Sequence, residues 1–345
     1  MRADPELTFS AEESLRFESS DQLIGLGLMQ DTRHWMTLAT EPDPMAPRLS
    51  VLVSTLNRAE HVAACVKSIL ANPGQDFELI VVDQSDPETR RRAQAAVGDD
   101  PRLRWIGSDT RGLSVSRNLG VAAVRAPLVA FTDDDCRVEP NWIEGVLSLF
   151  DRDPSIGLVF GSVLLRPEDR VKGYAAEFEP PTDREFQYAL PDVDSRWGVG
   201  ANMAMRRGVF DRVGLFDPLL GAGAKYHAGE EIDLTLRALV AGYKVLHTPA
   251  IAVLHLGIRE GAEASRLMRG YGIGLGATLA KHVRLGSPGA ARLLTAWLSL
   301  HGKRSIRNAL RGKKNPGFGL VLAVVWGASR SYEQGINRSR QQYVG

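Results

Sequence analysis

In the stretch PLVAFTDDDC, residues 127–136, an apolar run leads directly into three successive carboxylates. The apolar run predicts a buried strand, and adjacent negative charges at its end are unfavourable unless a cation neutralises them. Hard divalent ions such as Mg²⁺ and Mn²⁺ prefer oxygen ligands of this kind. The stretch therefore predicts a metal site where a sheet ends, with a solvated acidic turn as the alternative.

Strand-like and helix-like patterns alternate between residues 48 and 150. Apolar runs at residues 49–54, 77–82 and 103–106 predict three more strands, each followed by a helix-like segment. Pro140 lies near the first turn of a further predicted helix. This alternation implies an α/β fold in which helices flank a mixed, mainly parallel sheet.

Polar residues follow three of the predicted strands, at residues 55–58, 83–85 and 133–135. Ligands of parallel sheets bind in the crevice beyond the carboxyl ends of the strands, so these residues are candidates for one binding site. No G-x-G-x-x-G follows the first strand, and no G-x-x-x-x-G-K-[ST] occurs in the chain. A dinucleotide-binding fold and a P-loop are therefore disfavoured.

Six motifs together resemble the family 2 nucleotide-sugar glycosyltransferases, and within them the rhamnosyltransferase-like group. The motifs are SVLVSTLNR (50–58), ELIVVD (78–83), GLSVSRN (112–118), the Asp triplet, GANMA (200–204) and GEEIDLTLR (229–237). The resemblance covers residues 48 to about 257. It implies a GT-A (Rossmann-like) catalytic domain that uses a nucleoside-diphosphate-sugar donor.

By this resemblance the first half of the domain binds the donor nucleotide. The implied residues are Thr55, Asn57, Arg58, Asp83, Arg117, Asn118 and Asp133. Asp83 would accept hydrogen bonds from the nucleobase with charge assistance. Arg117 lies near the start of a predicted helix, where phosphate is favoured. An ordinary strand-end aspartate and a solvated arginine are the alternative interpretations of these two residues.

The resemblance also implies a divalent cofactor, Mg²⁺ or Mn²⁺. Asp135 would ligate the cation directly, and Asp133 would bind the ribose or a metal-held water. His255, at the end of another apolar strand, would contact the metal or the diphosphate, unless it is a structural histidine. His247 is the less favoured candidate. The cation would stabilise the diphosphate leaving group.

Glu231 is the predicted general base, which would deprotonate the acceptor hydroxyl. The family usually has Glu-Asp where this chain has Glu230-Glu231, so Glu230 and Asp233 are substitutes for the base. Together with Asn202 they are the predicted acceptor-side residues. The helix dipole alone also favours acidic residues in a first turn. The family resemblance, together with one base and no candidate enzymatic nucleophile, implies inversion at the anomeric carbon.

Length and composition suggest three regions in the 345 residues. We predict an appended N-terminal segment at 1–47, a catalytic domain at 48–260 and a helical, basic C-terminal region at 261–345. The two cysteines form no C-x-x-C pair, which argues against a disulfide scaffold or a zinc site. The first residues lack a secretion signal pattern, so a cytoplasmic location is expected.

The net charge of +1 is unevenly distributed. Twelve Lys or Arg and no acidic residue occur between Glu263 and Glu333, so the remainder of the chain carries −11. Leu293, Trp297 and Leu300 share one helical face, and a basic stripe follows it at positions 303, 307, 311 and 314. The apolar run 319–328 is shorter than the roughly 20 residues that a membrane span needs.

These features predict a region that lies on the cytoplasmic face of an anionic membrane. A helical subdomain packed on the catalytic domain is the alternative. Nucleic-acid binding is not expected, because no recognised nucleic-acid module accompanies the charge.

The sequence as a whole predicts an inverting, metal-dependent glycosyltransferase that acts on a hydroxyl of a lipid-linked or cell-envelope glycan. A sugar-phosphate nucleotidyltransferase is one alternative, although its Gly-rich, Lys-containing loop is missing after the first strand. A non-catalytic sugar-nucleotide-binding subunit of an envelope-assembly complex is another. Donor sugar, base, acceptor and oligomeric state are left open.

Overall fold

A computed structural model of the chain describes residues 46–187, 197–311 and 316–344. Nearly all of the predicted N-terminal segment lies outside the described residues, as does Lys314 of the basic stripe.

Eleven strands and nine helices are assigned in the described ranges. The strands are β1 (Leu49–Thr55), β2 (Phe77–Asp83), β3 (Leu103–Gly107), β4 (Leu128–Asp133), β5 (Cys136–Val138), β6 (Ile156–Leu164), β7 (Arg184–Phe186), β8 (Met203–Arg206), β9 (Lys244–His255), β10 (Ile336–Asn337) and β11 (Gln342–Tyr343). The helices are α1 (Ala59–Leu70), α2 (Pro87–Val97), α3 (Leu113–Ala123), α4 (Trp142–Arg152), α5 (Gly208–Val213), α6 (Glu230–Val240), α7 (Gly261–Arg284), α8 (Pro288–Leu310) and α9 (Pro316–Tyr332).

One large sheet organises the catalytic region. Its strand order is β3-β2-β1-β4-β8-β6-β9-β5, and β7 also pairs with β9. Strands β3, β2, β1 and β4 are parallel, whereas β8 lies antiparallel between β4 and β6. Strands β1 and β2 are buried almost throughout, because helices cover both faces of a parallel sheet. The predicted α/β fold with a mixed, mainly parallel sheet is confirmed.

Local signals in the sequence explain where several helices begin. Asp86 caps α2 by accepting hydrogen bonds from the backbone N–H groups of Glu88 and Thr89, and Pro87 is the first helical residue. Ser287 caps α8 in the same way before Pro288. These caps fix the start of each helix relative to the sheet.

Helices α7 and α9 pack closely through glycines. A Cβ atom at Gly276 of α7 would collide with the carbonyl oxygen of Val324, and one at Gly327 of α9 would collide with that of Ile273. Backbones can approach this closely only where side chains are missing. In the described part of the chain, every helix is too short or too polar to cross a bilayer.

Helix α8 packs on the catalytic region along part of its length. Leu293 lies in a buried cluster with Leu236 of α6 and Leu279 of α7, and Trp297 is also buried. The sequence-based assignment of Leu293 and Trp297 to a membrane-facing surface is therefore wrong. Their helical face is covered by protein, as the packed-subdomain alternative requires.

Candidate functional site

The carboxyl ends of β1, β2 and β4 lie side by side at one edge of the sheet. In the parallel register Thr55 is opposite Asp83, and Ser54 is opposite Asp133. Polar residues that are far apart in sequence are therefore neighbours in space. The predicted convergence of strand ends is confirmed by this register.

Asp83 is buried at this edge with one oxygen available. Its Oδ1 accepts a hydrogen bond of 2.8 Å from the backbone N–H of Ser85. Its Oδ2 is buried without a hydrogen-bond partner among the described residues. Asn57 adopts a positive φ of 55°, and its backbone N–H donates a hydrogen bond of 2.7 Å to Ser85 Oγ. A buried free acceptor is unfavourable alone, so the site suits a ligand that donates a hydrogen bond.

Asp134, the middle residue of the triplet, points into the protein. It accepts hydrogen bonds from Thr55 Oγ1 at 2.7 Å and from Arg58 at 2.9 Å. Burial raises the pKa of Asp134, although Arg58 opposes that rise. Thr55 therefore fixes the middle residue of the triplet. The side chains of Asp133 and Asp135 do not share this contact with Thr55. The side chain of Asp133 is 33% exposed.

Asp135 and His255 form the candidate metal centre. Antiparallel pairing places Cys136 opposite His255, and His255 Nε2 lies 3.5 Å from Asp135 Oδ1. A Cβ atom at Gly257 would collide with the Asp135 carboxylate, so glycine leaves the space that this carboxylate occupies. Arg58 lies 3.1 Å from Asp135 Oδ2. The carboxylate suits Mn²⁺ or Mg²⁺, whereas the imidazole is a softer ligand that Mn²⁺ accepts more readily than Mg²⁺.

Cys136 is the third potential ligand in this group, since ligand atoms of Asp135, Cys136 and His255 lie within 4.8 Å of one another. Burial raises the pKa of the Cys136 thiol well above its ordinary value. A thiolate is in any case a soft ligand that a hard cation does not prefer. The carboxylate of Asp135 is therefore the ligand in this group that fits a hard cation, with the imidazole of His255 beside it.

His247, the other histidine considered, packs against aromatic rings. Its imidazole lies edge-on to the rings of Phe160, Phe178 and Phe186, with centroids 4.8–5.7 Å apart. Burial lowers the pKa of His247 to about 4, so the ring is neutral near pH 7. It belongs to the core behind the sheet edge.

Arg117 joins the two halves of the site. Its buried guanidinium donates to Glu230 Oε1 at 3.0 Å and lies 3.4 Å from Asp133 Oδ1. It also contacts the carbonyl oxygen of Gly200, where a Cβ atom would crowd the guanidinium. Arg117 therefore neutralises two carboxylates on opposite sides of the crevice.

Glu231 lies in the first turn of α6 beside this cluster. Burial, followed by the neighbouring Glu230 carboxylate, raises the pKa of Glu231 well above its ordinary value. Its Oε2 has no hydrogen-bond partner among the described residues. Glu230 is engaged by Arg117. Of the two glutamates, Glu231 therefore has an oxygen, Oε2, that is free to take a proton.

Two predicted site residues have structural partners instead. The Asn118 amide exchanges hydrogen bonds with the backbone of Phe216. The fully buried Asn202 accepts from Trp142 Nε1 at 3.0 Å and donates to the carbonyl oxygen of Ser162. The side-chain amides of Asn118 and Asn202 are therefore hydrogen-bonded inside the protein. They are not available to bind the donor nucleotide or the acceptor.

Asp233 is likewise enclosed in a network of buried charges. It lies 2.9 Å from Arg237, 2.6 Å from Lys281 and 2.9 Å from His282, and Lys281 also contacts Asp217 at 2.8 Å. Burial alone would raise the pKa of Asp233, but the surrounding cations lower it far below its ordinary value. Asp233 attaches α6 to α7 and is not available to an acceptor.

Sequence reasoning missed three residues near the site. Asp134 was passed over although it lies inside the triplet, Arg259 lies 3.8 Å from Asp135, and Tyr271 on α7 packs edge-on against Tyr174. Burial raises the pKa of Tyr271, and the charges of Glu231 and Asp133 contribute to that rise. Arg259 and Tyr271 belong to no motif. Arg259 is placed by a β-bridge to Tyr174, and Tyr271 by the packing of α7, and neither contact can be read from local sequence.

Comparison with known proteins identifies the domain. Residues 50–214 match the sequence model of the family described as "Glycosyl transferase family 2". The matched region is a glycosyltransferase family 2 domain. The predicted family resemblance is confirmed, while the rhamnosyltransferase-like group stays a prediction.

Two curated relatives of this glycosyltransferase come from an archaeon and a bacterium. It is 28% identical over 221 residues to the glucosyl-dolichyl phosphate glucuronosyltransferase of Haloferax volcanii, covering 60% of this chain and 69% of that protein. It is 26% identical to the succinoglycan biosynthesis protein ExoO of Rhizobium meliloti, covering 65% of this chain and 64% of ExoO. It therefore spans slightly less than two thirds of ExoO.

Two solved structures share the fold. The mannosyltransferase PcManGT from Pyrobaculum calidifontis, in complex with GDP-Man and Mn²⁺, superposes with a TM-score of 0.57 at 18% identity, covering 87% of this chain and 92% of that one. TarS 1-349 of S. aureus in complex with UDP-GlcNAc gives 0.55 at 16% identity, covering 82% of each chain. At these identities the likeness supports the GT-A fold.

Proposed function

We propose that this glycosyltransferase is inverting and metal-dependent, and that it moves a sugar from a nucleoside-diphosphate sugar to a hydroxyl. The observation that carries the proposal is the arrangement of three groups around one crevice. The free Asp83 Oδ2 and the Asp135–His255 pair lie at the sheet edge, and the unpartnered Oε2 of Glu231 lies on α6, which Arg117 links to Asp133.

The first two groups would hold the donor. Asp83 would accept a hydrogen bond from the nucleobase, and Asp133 would bind the ribose. Asp135 and His255 would hold Mn²⁺ or Mg²⁺. Such a cation would stabilise the negative charge that builds on the departing diphosphate. Arg58, already paired with the triplet, would be a further cation close to the phosphates.

Glu231 would complete the reaction on the acceptor side. It would take the hydroxyl proton as the acceptor oxygen bonds to the anomeric carbon, while the bond from that carbon to the diphosphate oxygen breaks. The nucleoside diphosphate leaves with the electron pair of that bond. Attack from the face opposite the leaving group inverts the anomeric configuration.

The acceptor is proposed from the names of the relatives. One curated relative acts on a glucosyl-dolichyl phosphate by name, and another is named for succinoglycan biosynthesis. We therefore propose a lipid-linked or cell-envelope glycan acceptor, met at the cytoplasmic face of the membrane. Because the matched family model is that of a glycosyltransferase family, we no longer favour the alternative function of a sugar-phosphate nucleotidyltransferase.

Donor screening tests this proposal. The purified full-length protein is heated with Mn²⁺ and UDP-, GDP- or dTDP-sugars, and its unfolding temperature is measured. A ligand at 100 times its dissociation constant stabilises the folded state by about 2.7 kcal/mol. We expect one nucleotide class to raise the unfolding temperature and EDTA to abolish the rise.

Asp83→Asn provides the matched variant, because it keeps the size of the side chain but loses the charged acceptor. It should abolish the donor-dependent rise. Stabilisation by none of the donors would contradict the proposal. Donor binding without any sugar transfer to glycan lipids would instead support the non-catalytic subunit.

A further inference from the structure

Exposed apolar side chains concentrate on the last two long helices. Eight of the twelve large hydrophobic side chains that are exposed in the described residues belong to α8 and α9, so their distribution is not random. They are Leu300, Ile306, Leu310, Phe318, Leu322, Val325, Trp326 and Tyr332.

Helix α9 turns apolar residues both inward and outward. Ala323 and Val324 are buried towards α7, whereas Phe318 and Leu322 are each 53% exposed and Val325 is 48% exposed. An exposed helix of a monomeric soluble protein normally presents polar residues to water. A contiguous apolar surface of this kind indicates an interaction site.

The carboxyl-terminal half of α8 also exposes apolar side chains, and cations lie beside them. Ile306 is 60% exposed and Leu310 is 84% exposed, and they share one shallow surface with Lys303, Arg307 and Arg311. None of these three cations forms an ion pair with another described residue. Long basic side chains can lie along an apolar surface while their charges reach an anionic layer.

We propose that these residues form a docking surface for an anionic lipid bilayer. The C-terminal face, as we name it, comprises Lys303, Ile306, Arg307, Leu310, Arg311, Phe318, Leu322, Val325 and Trp326. The helices lie in the plane of the membrane interface, with apolar side chains among the acyl chains and cations at the lipid phosphates.

The charge of the C-terminal face selects the bilayer over other partners. The chain has no acidic residue between positions 264 and 332, so a second copy that packed face to face would meet the cations of the C-terminal face with like charge. Nucleic acid would satisfy the cations but leave the aliphatic side chains exposed to water. An anionic bilayer satisfies both parts of the face.

This docking surface rests on the proposed function, since it would bring the enzyme to a membrane-held acceptor. Membrane binding can nevertheless be measured separately from catalysis. Full-length protein without donor or acceptor is mixed with phosphatidylcholine vesicles, with or without phosphatidylglycerol, and bound protein is measured by co-sedimentation. We expect binding to the anionic vesicles alone, and weaker binding as salt is raised.

A charge-reversed variant and a matched control locate the contact. Lys303→Glu/Arg307→Glu/Arg311→Glu should weaken binding to anionic vesicles by about 100-fold or more. Arg91→Glu/Arg92→Glu/Arg212→Glu makes the same charge change at exposed positions on α2 and α5, and it should bind nearly as the unaltered protein does. Circular dichroism checks that both variants are folded.

The apolar part of the face has its own variant. Leu310→Ser/Phe318→Ser retains every charge and should weaken binding at high salt, where the electrostatic attraction is screened. Quenching of Trp326 fluorescence by brominated lipid, compared with Trp326→Phe, reports insertion.

Four results would overturn the inference. They are failure of the unaltered protein to bind anionic vesicles at low salt, equal binding by the charge-reversed variant, RNA binding without vesicle binding, and self-association abolished by Leu310→Ser/Phe318→Ser without vesicle binding.

Discussion

Asp135, in the turn before β5, and His255, at the end of β9, are far apart in the chain, yet their side chains lie 3.5 Å apart. Asp135→Asn should weaken Mn²⁺-dependent donor binding more than about tenfold, because an amide is a poorer ligand than a carboxylate. The fold should be kept, since the change relieves repulsion within the triplet. Isothermal titration of the donor with and without Mn²⁺ measures the effect.

Asp76→Asn is the matched control for this substitution. Asp76 is exposed before β2 begins, at the opposite edge of the sheet from Asp83, so donor binding should be unchanged. Unaltered Mn²⁺-dependent affinity in a folded Asp135→Asn variant would disprove the metal assignment.

Glu231 is the residue on which the proposed chemistry depends. Glu231→Gln should lower the transfer rate by roughly 10²–10⁴-fold while donor affinity stays nearly constant. Since burial and Glu230 raise the pKa of Glu231 above its ordinary 4.5, kcat/KM should rise with pH through that elevated value. The rise reflects loss of the proton from the base, and it should vanish in the variant.

A comparison with Glu230→Gln decides between the adjacent glutamates. That variant removes the partner of Arg117 but leaves the Glu231 carboxylate in place. Full loss of transfer in Glu230→Gln together with an active Glu231→Gln would move the base by one residue.

The sequence predicted positions at the sheet edge better than it predicted side-chain partners. Asp83 and Asp133 could be placed because parallel strands end together, a rule that needs only local pattern. Asp233 could not be placed, because an acidic first turn looks the same whether it faces a crevice or a buried lysine. Its partner Lys281 lies on another helix, and no periodicity links the two.

At the scale of elements, glycine has opposite effects on α7 and α8. Gly276→Ala should destabilise the protein by about 1–3 kcal/mol despite the better helix propensity of alanine, because the new methyl group meets the Val324 carbonyl oxygen. Gly302 on α8 has no neighbouring atom within 4 Å of an added Cβ. Gly302→Ala should therefore stabilise by up to about 1 kcal/mol.

Urea unfolding of the two variants measures both effects. Opposite signs would establish that α7 and α9 touch through their backbones in solution. Stabilisation by both substitutions would contradict the close packing. The hydrophobic run of α9 predicted a helix. The close contact of Gly327 with Ile273 of α7 could not be predicted from that run alone.

At the scale of the molecule, Asp233 and Lys281 join the catalytic region to the C-terminal helices. The proposed boundary at residue 260 separates two stretches of sequence that share this buried network, and Thr278 Oγ1 also donates to the carbonyl oxygen of Gly229. We therefore expect the two regions to unfold together. The charge asymmetry of the sequence predicted a distinct tail, but it could not reveal these buried pairs.

The depressed pKa of Asp233 gives this connection a pH dependence. A carboxyl group with a folded-state pKa below its unfolded value stabilises the fold above the unfolded value, near 3.9, and loses that contribution as pH falls. The difference in unfolding free energy between the unaltered protein and Asp233→Asn should be constant near neutrality. Below about pH 3.9 it should shrink by about 1.4 kcal/mol per pH unit.

Urea titrations between about pH 6 and pH 3 test this dependence. Other carboxyl groups titrate in both proteins, so their contributions cancel in the difference. A difference that grows on acidification would show that Asp233 is not held as a charged group.

The position of Arg117 between Asp133 and Glu230 has a consequence for the order in which substrates are held. When a donor binds Asp133, Arg117 can interact more strongly with Glu230. The negative charge of Glu230 is then better neutralised, so it repels the Glu231 carboxylate less. We expect acceptor affinity to be higher on the donor-loaded enzyme, and by thermodynamic reciprocity donor affinity to rise equally with acceptor bound. Arg117→Met should make the two affinities independent, so that the enzyme no longer responds to which substrate arrives first.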